Sequence, residues 1–82
     1  MSEGKLVNLR QMPSGRGGKV VEIQGGMGLV NRLSALGVRP GKKITKVSSM
    51  VMRGPVTIQV GNTCLAIGFG MAGRIIVELD GV

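Results

Sequence analysis

Eleven Lys and Arg residues against four carboxylates, with no histidine and a single thiol, fix which chemistries this 82-residue chain can offer. A transition-metal site needs several imidazole, thiolate or carboxylate donors held together. The donors here are Cys64, Glu3, Glu22, Glu78 and Asp80, plus the soft thioethers of Met50 and Met52. Glu78 and Asp80 share a face of the last predicted strand, where two carboxylates near a chain end are expected to be solvated. Neither a closed zinc site nor a two-histidine iron triad can be assembled, so no metal site is expected. Nucleophilic catalysis needs a base beside the nucleophile, and neither Cys64 nor any serine has an imidazole to serve it. Cys64 is read as an inert, half-buried thiol. The run Gly68–Gly73, "GFGMAG", matches G-x-G-x-x-G letter for letter. That fingerprint works only when a strand enters it and a full helix follows, whereas here a β-branched run begins directly after Gly73. No enzyme and no cofactor are expected.

What remains is positive charge. The formal net charge of +7 suits an anionic partner: a nucleic acid, an anionic membrane surface or an acidic protein face. The basic residues fall into two groups along the chain, Arg10, Arg16 and Lys19, then Arg39, Lys42, Lys43 and Lys46. Single-strand nucleic-acid binding adds aromatic stacking platforms, and Phe69 is the only aromatic residue. A basic nucleic-acid-binding barrel is therefore the alternative reading rather than the first. Met50, Val51 and Met52 lie in a connecting segment, either folded back on the core or exposed to a partner.

The elements that would position these groups are short. Fifteen glycines scattered among aliphatic runs suggest strands joined by tight turns. Lys5–Arg10 reads as a docked lead-in anchored by Leu6 and Leu9, Met12–Gly18 as a loop and Lys19–Ile23 as a strand. In "MGLVNRLSALG", Leu29, Leu33 and Leu36 recur at i, i+4 and i+7, the stripe of an amphipathic helix. Gly37 stands where a left-handed residue ends that helix, and Pro40-Gly41 makes the following turn. In "KKITKVS", Ile44 and Val47 both point inward only if a bulge or strong twist falls at Thr45-Lys46. Gly61-Asn62 predicts a two-residue hairpin turn pairing Val60 with Thr63, Ile58 with Leu65 and Val56 with Ile67. Those three pairs share one face; Cys64 lies on the other with Thr57, Gln59 and Ala66. Gly68–Gly73 reads as a tight turn before a closing strand over Arg74–Asp80. Five strands and one helix in a single domain spanning residues 1–82 suggest a small antiparallel barrel with an aliphatic core. No membrane-spanning run or apolar leader is present, and one cysteine fits a reducing compartment, so the expected location is the cytoplasm.

Arg32, Leu33, Leu36, Gly37, Val38, Pro40 and Gly41 together form "R-L-x-x-L-G-h-x-P-G", with h apolar. This resembles the signature of the ferrous-iron transport protein A (FeoA) family. Gly54-Pro55 resembles that family's Gly-Pro before a hairpin; Ala72, Ile75 and Val77 resemble its closing "A-x-x-I-x-V". Leu6, Leu9, Val20 and Ile23 match its looser N-terminal pattern. Two departures stand out: Lys46 occupies a position that is usually apolar, and Met50–Arg53 is richer in methionine than the usual loop. The resemblance implies an SH3-like β-barrel, mainly β, with one inserted helix. It also implies a cytoplasmic, non-enzymatic accessory protein that binds the cytosolic side of the GTP-binding ferrous-iron permease, FeoB. The family carries a transition-metal label for which this sequence offers no ligand set. The expected partner-binding residues are Arg32, Arg39, Lys42, Lys43, Met50, Met52 and Arg53, chosen for charge and exposure, with the anionic membrane surface beside the permease as a further contact.

Overall fold

The computed structural model describes residues 5–49 and 55–80. Alternating β-branched residues and frequent turn glycines produce six strands: β1 (Leu6–Asn8), β2 (Gly17–Ile23), β3 (Lys43–Ser49), β4 (Val56–Val60), β5 (Thr63–Ile67) and β6 (Ile75–Leu79). Helix α1 (Met27–Ala35) joins β2 to β3, and one helical turn, α2 (Phe69–Ala72), joins β5 to β6. The strands form one antiparallel sheet in the order β1-β6-β2-β3-β4-β5. The sheet curls in an SH3-like manner but does not close, and β1 and β5 are its edges.

The core is aliphatic, as the composition requires. Val20, Ile44, Ile58, Ile67, Ile75 and Val77 project from the concave face of the sheet, and Leu9, Met12, Leu33 and Val38 fill it from the connections. The hairpin has the predicted register, Val56↔Ile67, Ile58↔Leu65 and Val60↔Thr63, with Gly61 at φ 62° in the turn. Helix α1 ends as its sequence dictates. Gly37 adopts φ 95°, its N–H donates to Ser34 O at 2.9 Å, and the Val38 N–H donates to Leu33 O at 2.9 Å. That pair of bonds is a Schellman cap, which satisfies carbonyls the helix would otherwise orphan. Gly37→Ala should cost about 1–2 kcal/mol, because a Cβ is unfavourable in the left-handed region and would also press on Val60 Cγ1 at 3.4 Å. A urea midpoint equal to that of the parent protein would contradict this.

Several expectations are corrected. β1 adds a sixth strand, and within it Leu6 is 60% exposed, so buried Leu9, helped by partly buried Val7, anchors the lead-in. Leu36 is the C-cap residue rather than part of the helix and is half exposed; the apolar stripe ends one turn early. The bulge in β3 falls at Val47, between Lys46 and Ser48, one step later than expected. The inward pair is thus Ile44 and Lys46, while Val47 faces outward. Gly68–Gly73 contains a turn of helix rather than a bare tight turn, because Ala72 is fully buried and draws the segment onto the core. Cys64 is exposed, not half buried.

Lys46 is the only buried charged residue among those described. Its Nζ donates to Met12 O at 2.6 Å and Leu9 O at 2.9 Å, with Arg10 O at 3.4 Å. Its backbone continues the same clamp: the Lys46 N–H donates to Arg16 O and the Gly15 N–H donates to Lys46 O. One β3 residue therefore ties down the whole connection between β1 and β2. Burial lowers the Lys46 pKa from its ordinary value, because desolvation disfavours the charged form.

Candidate partner-binding surface

The rigid corner after α1 determines where the expected contact residues sit. The Schellman cap reverses the chain, and Arg39-Pro40-Gly41-Lys42 then forms a turn closed by the Lys42 N–H donating to Arg39 O at 3.0 Å. Gly41 at φ 94° supplies the left-handed residue that a Pro-Gly type II turn needs. The corner is pinned to β2 by two backbone bonds, the Val20 N–H to Lys42 O at 2.9 Å and the Gly41 N–H to Val20 O at 2.7 Å. Arg39, Lys42 and Lys43 are exposed on this fixed frame. Arg32 is exposed on the last turn of α1, where a cation also complements the helix dipole.

Strand pairing adds residues that linear reading had kept apart. Lys19 lies directly opposite Lys43 in the β2–β3 ladder and opposite Glu78 in the β2–β6 ladder. Lys43 reaches Asp80 at 3.8 Å, and Arg16 donates to the Asp80 carbonyl at 3.2 Å. The Lys43–Asp80 pair is well exposed, so it holds neither side chain firmly. The two basic groups of the sequence thus merge into one rim containing Arg16, Lys19, Arg39, Lys42 and Lys43, partly offset by Glu78 and Asp80.

Two members of those sequence groups, Lys46 and Arg10, do not join this rim. Lys46 is interior, and the Arg10 guanidinium stacks over the Phe69 ring with its carbon 4.4 Å from the ring centroid. The single aromatic residue is therefore engaged by the protein itself. Met50, Met52 and Arg53 lie outside the described residues. Lys19 and Arg16 were missed as partners of Lys42 and Lys43 because only the β2–β3 register brings them together; no linear spacing signals it.

Among the described residues, the side chains offer no ligand set for the transition-metal label. No group of three or more His, Cys, Asp or Glu converges among the described residues. The described donors, an exposed Cys64, an exposed Glu22 and the Glu78 and Asp80 carboxylates among lysines, do not fit a resident metal site. Among the described residues, no helix is long and apolar enough to cross a membrane.

The family model of the FeoA domain matches residues 7–79, nearly all of the described fold. A crystal structure of an iron uptake regulatory protein (FeoA) superposes with TM-score 0.84 at 39% identity, over 93% of this chain and 99% of that one. The FeoA protein of Chlorobium tepidum matches with TM-score 0.81 at 19% identity, over 89% of this chain and 70% of that one. A manganese-dependent transcriptional repressor matches with TM-score 0.84 at 14% identity, over 94% of this chain but 43% of the repressor. The last two likenesses concern the fold alone. No protein of curated function matches the chain. With the family match running from β1 through β6, and with a 39% identical relative covered along almost its whole length, the chain belongs to the FeoA domain family of ferrous-iron transport.

Proposed function

We propose that this chain is a cytoplasmic, non-enzymatic accessory protein of ferrous-iron uptake that docks on the cytosolic part of the GTP-binding permease FeoB. Membership of the FeoA family carries this reading. The proposed docking surface is the exposed face of α1 at Arg32 together with the corner Arg39, Lys42 and Lys43; Met50, Met52 and Arg53, which lie outside the described residues, are proposed contacts on the sequence alone. Lys19 and Arg16 extend its charge across β2. What supports this choice is rigidity: the cap and the Pro-Gly turn hold the corner cations in place before any partner arrives, so little ordering entropy opposes contact. The same rim would favour accumulation beside an anionic inner membrane surface.

The test is an amide NMR titration of the labelled protein with the soluble GTP-binding domain of the permease at near-physiological salt. Shifts should cluster on residues 32–43 and 50–53. Lys42→Glu with Arg39→Glu should weaken binding by roughly tenfold or more, about 1.4 kcal/mol, mainly through slower association. Neither residue is buried, so melting should stay nearly constant. Shifts confined to β1 and α2, or an affinity indifferent to both substitutions, would reject this surface.

A further inference from the structure

Strand β5 is an edge of the sheet, and nothing among the described residues pairs with its outer side. A two-residue hairpin puts Val60 and Thr63 in a hydrogen-bonded pair, so Thr63, Leu65 and Ile67 direct their backbone groups toward β4. Cys64 and Ala66 then direct their N–H and C=O groups toward the open side. Proteins usually blunt such an edge with lysine, proline or a bulge. Here β5 pairs with β4 without a register shift and carries none of those devices. The chain contains no Asp, Glu, Lys or Arg anywhere from Gly54 to Gly73, although it has 11 basic and 4 acidic residues elsewhere. The opposite edge differs: β1 has only three residues, and Lys5 and Arg10 lie close to its ends.

We infer that β5 is a self-association edge, on which a second copy of this chain pairs antiparallel, β5 against β5. Charge argues for this occupant. Two bodies of net charge +7 repel, and the uncharged hairpin is the part of the strand framework where they can approach at least cost. Hydrogen-bond parity and strand length select the register. A twofold axis at Leu65 aligns all five residues of each strand and brings Cys64 opposite Ala66 of the second copy, so the outward groups of each copy bond the other's. The pairing also brings the two half-buried Leu65 side chains together on the core side of the seam. The result is one continuous sheet built from two copies.

Sedimentation velocity under reducing conditions, from about 10 µM to about 1 mM protein, should show mass rising from the 8.5 kDa monomer toward twice that value. Across the same range, the amides of Cys64 and Ala66 should gain hydrogen-exchange protection in step, while those of Thr63 and Leu65 stay protected throughout. Ala66→Lys places a charge on the exposed face of the seam and should raise the dissociation constant by roughly tenfold or more; Cys64→Lys should act in the same way and serves if the first variant folds poorly. A monomer at every concentration would overturn the inference. So would a dimer that survives both substitutions while the Cys64 and Ala66 amides exchange freely.

Discussion

Lys46→Met is expected to lower the unfolding free energy by roughly 2–3 kcal/mol, a fall in melting temperature on the order of 10–20 °C for a domain of this size. Methionine keeps most of the aliphatic stem, so packing changes little; what is lost is the ammonium. The Leu9 and Met12 carbonyls, on residues that are themselves buried, would each lose a charge-assisted bond. Relief of the ammonium's own desolvation offsets part of that loss, which is why the figure stays well below the sum of the individual bonds. Chemical denaturation of both proteins checks the prediction, and equal midpoints would show that the carbonyls are satisfied without the lysine.

The same pair of proteins isolates a pH effect. Burial holds the Lys46 pKa below its ordinary value of 10.5 in the folded chain. Between that lowered value and 10.5 the unfolded chain holds a proton that the folded chain has released, so unfolding takes up a proton and stability rises with pH. Lys46→Met lacks this contribution, while all other groups cancel in the comparison. The advantage of the parent protein should therefore be constant near neutrality and grow as pH climbs toward 10.5. An advantage that shrinks over that range would mean the carbonyls favour the ammonium more than burial disfavours it, reversing the direction of the shift.

Lys46 also marks where sequence reading stopped. A lysine at an inward strand position can flip the strand, shift a bulge or find acceptors inside. Ile44 and Val47 on either side of it made a bulge or strong twist at Thr45-Lys46 look sufficient. The acceptors come from Leu9, Arg10 and Met12, more than thirty residues away in a loop with no periodicity of its own. Local pattern carries no trace of such a contact. The hairpin is the opposite case, because its register depends only on a turn and a period of two residues within one short stretch. The end of α1 was legible for the same reason: the glycine, the proline and the apolar positions that define it are all neighbours. Segment Gly68–Gly73 was not, since three glycines signal a turn, whereas burial of Ala72 wraps that turn into a helix. The basic rim was half legible. Arg39, Lys42 and Lys43 are adjacent in sequence, but Lys19 and Arg16 join them only through the β2–β3 ladder.

Leu33→Ala is expected to cost about 2–5 kcal/mol, with a fall in melting temperature of roughly 10–30 °C. Helix α1 has nine residues, too few to persist alone in water, so tertiary contact must hold it in place. Leu33 is its only fully buried residue; Leu29 is partly buried and Leu36 lies half exposed beyond the last turn. Leu33 also stands four residues before the cap glycine, Gly37, in the Schellman motif, and its carbonyl accepts from Val38, another fully buried residue. Truncating it opens a cavity and loosens the contact that fixes the helix end. Leu36→Ala, at a position 47% exposed, should cost under about 1 kcal/mol. The ratio between the two variants is the decisive quantity, because both remove the same atoms from the same apolar stripe. Equal losses would return Leu36 to the core and undo the account of where the helix stops. Unequal losses would tie the placement of Arg32, Arg39, Lys42 and Lys43 to one buried leucine, and partner binding should then weaken in Leu33→Ala even at temperatures where the sheet remains intact.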